Sequence, residues 1–325
     1  MHRRDFIRAL SVGAALPLAG VAPLALADTY PSKPIRLVVT QGTGSGSDVI
    51  GRLLASKLGE RLKQSVYVEN KAGGGGIIGH QFVLDQPADG YTLLLSTTAP
   101  LVVVPAMNRN AKFHLRDFTA VAAALRSPYM VLVGTQPDSP RSLQELTKRL
   151  AAAPSSYSSS GTGTLTHLAT EMYLQQVNAK ATHVPYKGSG QSLADLAGGQ
   201  VLFSTDSPIA AGALIRGGRL RALAVTSAQR LATYPDVPTM AELGYPGLTL
   251  NTMGGLFGPS KLPAPIVERI STEMAAVMSS PEVKAQFASM ETEPLVMPVE
   301  SFRTQMLKDA PVWEGVVARL GITAD

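Results

Sequence analysis

Along the chain, short apolar runs rich in β-branched residues alternate with stretches whose apolar residues recur every three or four positions. The first runs predict strands over Ile35 to Val39, Ser65 to Glu69 and Tyr91 to Leu95. Between them, Val49, Ile50, Leu53, Leu54, Leu58 and Leu62 fall on one face of a helix over Asp48 to Leu62. Asp89-Gly90 reads as the turn admitting the third strand. Such alternation predicts a mostly parallel sheet covered by helices on both sides, an α/β fold.

A second set of strands follows over Tyr129 to Val133, Ser155 to Ser159, Thr182 to Val184, Val201 to Ser204 and Leu220 to Thr226. Helical stretches such as Leu143 to Ala152 and Leu165 to Gln176 separate them. After Leu248 helices dominate: Ile266, Val267, Ile270, Met274, Val277 and Met278 form one stripe, and a last helix over Ser301 to Leu320 is expected to break or restart near Pro311. These helices cannot bury their faces alone, so they are expected to return to the first sheet. The predicted organisation is two domains, 28–126 plus 251–325 and 127–250, with the chain crossing twice.

The N-terminus modifies that picture. A basic start, His2 to Arg8, precedes 19 uncharged residues from Ala9 to Ala27 that end in Ala25-Leu26-Ala27, the pattern of a leader cleaved before Asp28. Ser11, Gly13, Pro17, Gly20 and Pro23 make the stretch a weak membrane anchor. Arg3-Arg4 with Phe6 resembles a twin-arginine signal, against which general secretion competes. The implied location is the periplasm. Cleavage lowers the formal charge of +5 by two, which argues against nucleic acid as a partner. There is no cysteine, so disulfides, thiolate sites and a lipidated N-terminal cysteine are excluded.

Ligands of open α/β sheets bind beyond the carboxyl ends of the strands. Four segments there share one composition: Thr40 to Asp48 (TQGTGSGSD), Ser96 to Pro100 (STTAP), Ser160 to His167 (SGTGTLTH) and Ser204 to Pro208 (STDSP). Backbone N–H groups and hydroxyls at helix starts hold a carboxylate or phosphate without a fixed charge, and none of the four contains Lys or Arg. Turn formation and helix capping explain any one of these loops equally well. Four together point to a ligand. The candidate contacts are Gln41, Gly42, Thr43, Gly44, Ser45, Gly46 and Asp48; Ser96, Thr97 and Thr98; Thr162, Gly163, Thr164 and His167; and Asp206 and Ser207. Asp48 reads as a loop brace, whereas Asp206 either braces or receives an ammonium group. His167 either donates to a carboxylate or is structural.

Enzyme readings are weaker. Gly42-x-Gly44-x-x-Ser47 after a strand, with Glu69 ending the next one, approaches a dinucleotide fingerprint, although Ser replaces the third glycine. There is no nucleophile elbow or phosphate-binding Gly-Lys-Ser/Thr. His2, His80, His114, His167 and His183 show no metal-ligand spacing. Neither a cofactor nor a metal nor catalysis is expected, beside the alternative of a hydrolase whose serine, histidine and acid meet only in space.

Several motifs in order resemble one family. Lys33 to Val38 with Gly44 and Asp48, Val68-Glu69-Asn70 with Ala72-Gly73 and Ile78-Gly79, and Asp89 to Leu95 are similar to the first half of the Bug-type receptors, the extracytoplasmic solute-binding proteins of tripartite tricarboxylate transporters. His183-Val184-Pro185-Tyr186-Lys187-Gly188, Gly198-Gly199-Gln200-Val201, Leu220 to Thr226 and Pro235 to Thr239 resemble the second half. The resemblance implies a two-lobed, hinged fold of the type II periplasmic-binding-protein kind, closing on a carboxylate. It implies ligand loops at Gly42 to Asp48, Ser96 to Thr98, Thr162 to Thr164 with His167, and Asp206 to Pro208. Its implied partners are a small organic acid or amino acid and the transporter's membrane subunits, or a sensor protein instead; a monomer is expected. Thr40-Gln41-Gly42 stands where the family has Pro-Phe-Pro, Ser45 where it has glycine, and Met253 where an aromatic is common, which implies a roomier or more polar pocket.

Overall fold

Chain order in the computed structural model begins with strand β1 (Ile35–Val39), helix α1 (Gly46–Leu62), β2 (Val66–Asn70), α2 (Ile77–Leu84), β3 (Thr92–Thr97), the short α3 (Val104–Met107) and β4 (Phe118–Pro128). It continues with β5 (Met130–Gly134), α4 (Leu143–Ala152), β6 (Ser156–Ser159), α5 (Leu165–Gln176), β7 (Thr182–Pro185), α6 (Ser189–Ala197), β8 (Phe203–Asp206), α7 (Pro208–Arg216) and β9 (Leu220–Val225). The last part is β10 (Asn251–Pro259), α8 (Ala264–Ser279), α9 (Pro281–Ser289), β11 (Glu293–Pro294) and α10 (Val299–Leu320). The structure describes residues 30–43, 45–290 and 292–323. The expected leader, its cleavage point and Gly44 lie outside the described residues.

Two sheets result. The first runs β11-β4-β10-β3-β1-β2 and the second β7-β6-β8-β5-β9. Strands β1, β2 and β3 are parallel, but β10 is antiparallel to both β3 and β4, so the first sheet is mixed rather than mostly parallel. Both β4 and β10 escape the hydrophobic pattern. The run Ala120 to Leu125 is alanine-rich and reads as helix, and β10 carries Gly254, Gly255 and Gly258 in place of large apolar residues. The second of these is sterically required: a Cβ on Gly255 would lie 2.1 Å from the carbonyl oxygen of Ala122 in the paired strand.

Strand β5 shows how the second sheet is buried. Val131 and Val133 enter a core shared with Tyr157, Tyr173 and Phe203, while Met130 and Leu132 enter one shared with Leu193, Leu196 and Ala211. Period-two alternation thus feeds both faces, which is why the strand is uninterruptedly apolar. Helix α5 packs on β6 and β8, α6 on β5, β6 and β8, and α7 on β9. In the first sheet α1 packs on β1, β2 and β3, and α8 and α10 pack on β4.

Two details differ from the pattern. Helix α10 runs unbroken through Pro311, because that residue is on the exposed side and its neighbours Ala310 and Trp313 hold the buried face. Val49 does not share the buried face of α1 and is 49% exposed, while its neighbours Asp48 and Ile50 are buried. Among the described residues no helix is long and apolar enough to cross a membrane.

Candidate ligand site

Strand directions decide where the four loops stand. In the first sheet the carboxyl ends of β1, β2, β3 and β4 share an edge with the amino end of β10. In the second, the carboxyl ends of β6, β7, β8 and β9 share an edge with the amino end of β5. The chain passes from Pro128 to Met130 and, after β9, returns at Asn251. Both crossings therefore join the two edges that carry the loops.

Thr226 ties the crossings together. Its hydroxyl donates to the carbonyl of Leu250 at 2.6 Å and accepts from the N–H of Tyr129 at 2.8 Å. Its own N–H donates to the carbonyl of Tyr129, and its carbonyl accepts from the N–H of Leu250, both at 2.9 Å. The side chain and backbone of one residue thus fasten the outgoing segment to the returning one.

In the first loop Gln41, Gly42, Thr43 and Gly46 are exposed and Ser45 is half-buried, its hydroxyl capping α1 through the N–H of Asp48. Asp48 is buried and accepts from Arg52 Nε at 3.1 Å, Arg52 Nη2 at 3.0 Å and Asn70 Nδ2 at 2.9 Å. Asn70 Nδ2 also donates to the carbonyl of Gln41 at 3.0 Å, and its oxygen accepts from Arg52 and Thr43. These contacts make Asp48 the anchor of the loop and neutralise Arg52 locally, so the exposed face is left with peptide groups and hydroxyls.

The second loop is held from below. His80 is fully buried against Phe113 and Phe118, and burial lowers its pKa to about 4. The neutral ring donates from Nδ1 to the carbonyl of Gly76 at 2.7 Å, leaving Nε2 to accept from the hydroxyl of Ser96 at 2.8 Å. The Thr98 hydroxyl donates to the carbonyl of Met253 at 3.2 Å and accepts from its N–H at 3.1 Å, fixing the loop to β10. Ser96 and Thr98 are buried, and Thr97 is half-buried.

In the third loop Thr164 caps α5, its hydroxyl donating to the carbonyl of Gly161 at 2.7 Å, while Thr162 is exposed. The N–H of Gly163 donates to His167 Nδ1 at 3.1 Å, which places the proton of a neutral ring on Nε2. Burial and then the neighbouring His183 lower the His167 pKa to about 4; the two rings stack at 3.9 Å. His183 Nε2 lies 2.7 Å from the hydroxyl of Ser159. This loop also meets the first sheet's elements: a Cβ on Gly163 would lie 2.3 Å from the sulfur of Met107 in α3, the helix that follows the second loop.

In the fourth loop Ser207 caps α7, and its N–H donates to Asp206 Oδ1 at 2.8 Å. Asp206 is buried at the end of β8. The four loops leave out Asn70, which ends β2 and which the strand-end rule reaches, and His183, which lies inside β7 and which that rule does not reach. His80 and Thr226 carry no local signal, because their partners are 16 and 24 residues away in the chain.

Glu69, considered for a ribose hydroxyl, is engaged by Arg36 at 3.1 Å and Lys71 at 2.7 Å. Among the described residues no group of three or more His, Asp or Glu side chains is placed to hold a metal ion. A cavity of about 360 Å³ beside the second crossing, lined by Arg126, Asn251, Gln305, Asp309 and Trp313, contains none of the loop residues.

Comparison with known proteins decides the class. Residues 50–321 match the model of the tripartite tricarboxylate transporter family receptor. The chain belongs to this receptor family. The receptor is 33% identical to the BugT protein of Bordetella pertussis, over 95% of its own length and 96% of that protein's. An adipate-bound protein of R. palustris is 30% identical with a TM-score of 0.78, covering 90% of the receptor and 99% of that chain. MatC from Rhodopseudomonas palustris, solved with malate, is 25% identical with a TM-score of 0.73, over 89% of the receptor and all of that chain. The fold is accordingly the two-lobed α/β fold of periplasmic binding proteins.

Proposed function

We propose that this receptor captures a small organic acid or amino acid in the cleft bounded by its four loops, and hands it unchanged to the membrane subunits of a tripartite tricarboxylate transporter. The observation that carries the reading is the placement of loops from two sheets on the edges joined by both crossings, each with helix-start N–H groups and hydroxyls and none with Lys or Arg. An anion held so is stabilised by oriented peptide dipoles, which suits reversible capture. The exposed groups of Gln41, Gly42, Thr43 and Thr162, the half-buried Ser45, Thr97 and Thr164, and the Nε2 proton of His167 are the proposed contacts. Ser96, Thr98 and Asp48 hold those groups in place.

The chain is exported to the periplasm with residues 1–27 removed, and the partition 28–126 plus 251–325 against 127–250 moves as two lobes about the Thr226 clamp. Binding shifts the open-to-closed equilibrium by its differential affinity for the closed form. Relatives solved with adipate and with malate support a carboxylate as the ligand. Native mass spectrometry of protein purified without refolding, followed by a thermal-shift panel of dicarboxylates, amino acids and aromatic acids, tests the reading. An acid raises the melting temperature and is recovered chemically intact. Conversion of the acid, or a panel without a single binder, sinks it.

A further inference from the structure

Buried carboxylate oxygens are normally paired. Asp206 is 1% exposed, yet its Oδ2 has no hydrogen-bond partner among the described residues. Its Oδ1 is already taken by the N–H of Ser207 at 2.8 Å and the Ser207 hydroxyl at 3.5 Å. Burial raises its pKa to about 6, and the groups that oppose the rise are the hydroxyl of Ser189 and the amide and hydroxyl of Ser207, not a cation. Above that pH the side chain is an anion that Ser189 and Ser207 partly stabilise and that no cation among these groups neutralises.

Its position is at the ligand loops. Asp206 ends β8 in register with Met130, the first residue of β5, and so stands on the edge where the chain crosses between sheets. Beside it is the buried phenol of Tyr129, whose pKa is held above its ordinary value by burial, lowered somewhat by a hydrogen bond with Thr252 and raised again by the charge of Asp206. Asp206 is therefore grouped with residues of both crossings, Tyr129 on the outgoing segment and Thr252 on the returning one. Thr205, whose hydroxyl also lacks a partner, projects from the opposite face of β8 and cannot satisfy it.

We infer that the ligand supplies the missing partner: the receptor takes carboxylates that also carry a hydrogen-bond donor, a hydroxyl or an ammonium group, which is received by Asp206 Oδ2, and it discriminates against unsubstituted aliphatic acids. This rests on the receptor reading above. A site built to accept a donor rejects an analogue without one, because its buried acceptor is then left unpaired.

The test is calorimetric titration of the full-length mature protein at pH 8 with succinate, malate and aspartate, which share a four-carbon diacid skeleton. Malate or aspartate binds roughly tenfold to hundredfold more tightly than succinate, the range expected for a hydrogen bond to a charged group. Asp206→Asn weakens malate and aspartate binding relative to succinate and so narrows the preference. A hydroxyl ligand is partly retained by the amide oxygen of that variant, whereas an ammonium ligand is lost. Equal binding of all three by the unmodified protein overturns the inference, as does a preference that is undiminished in Asp206→Asn. Equal loss of all three ligands in the variant also overturns it, because that is the signature of a loop brace. If the three fail while donor-free acids such as adipate bind, the inference falls and the receptor reading stands; if every acid fails, the receptor reading falls first.

Discussion

Gly163 has φ of 75°, a left-handed conformation, and its hydrogen atoms face the sulfur of Met107. Alanine there meets backbone strain of about 1–2 kcal/mol and forces Met107 to move, so Gly163→Ala lowers the urea midpoint by an equivalent amount. The buried His80 sets a pH dependence. Its folded pKa of about 4 lies below the ordinary 6.5, so the unfolded chain binds the proton first. The stability His80 contributes is complete above pH 6.5 and declines as the pH falls toward 4, by up to roughly 3 kcal/mol. Urea titrations at pH 7.5 and pH 5 measure the slope, and His80→Gln makes it shallower. At this scale the four loops were legible from strand ends and composition, and Asp48, read as a loop brace, is held inside α1 by Arg52 and Asn70. The groups beneath the loops were not. Nothing local marks Ser96 as the donor to a histidine 16 residues earlier.

Helix α10 holds Pro311 in its interior, where the ring removes one hydrogen bond to the carbonyl of the exposed Leu307. Replacement by alanine restores that bond, and Pro311→Ala raises stability by about 1–3 kcal/mol, read as an increased melting temperature. Opposite in sign is Thr226→Val, which keeps the shape of the crossing clamp but deletes the acceptor for the buried N–H of Tyr129 and the donor to Leu250. Unsatisfied buried groups of this kind cost about 1–3 kcal/mol each, and chemical denaturation registers the loss. Helices with an apolar stripe, α8 among them, and uninterrupted strands such as β5 were readable because burial imposes their periods. The strands β4 and β10 were not, since small residues that permit close backbone approach carry no hydrophobic signal.

For the molecule as a whole, two sheets are joined by two adjacent crossings, and a bound acid is expected to draw them together. Small-angle scattering then shows a smaller radius of gyration with ligand than without; an unchanged value argues against closure. The α/β class was legible from alternation alone, whereas the antiparallel centre of the first sheet was visible only in three dimensions. That centre has a consequence for biosynthesis. Because β10 lies between β3 and β4, the first sheet remains split until the ribosome has passed Pro259, while every strand of the second has already emerged. The second sheet therefore has the opportunity to form first, and the nascent first sheet, with two unpaired edges, stays open late in synthesis.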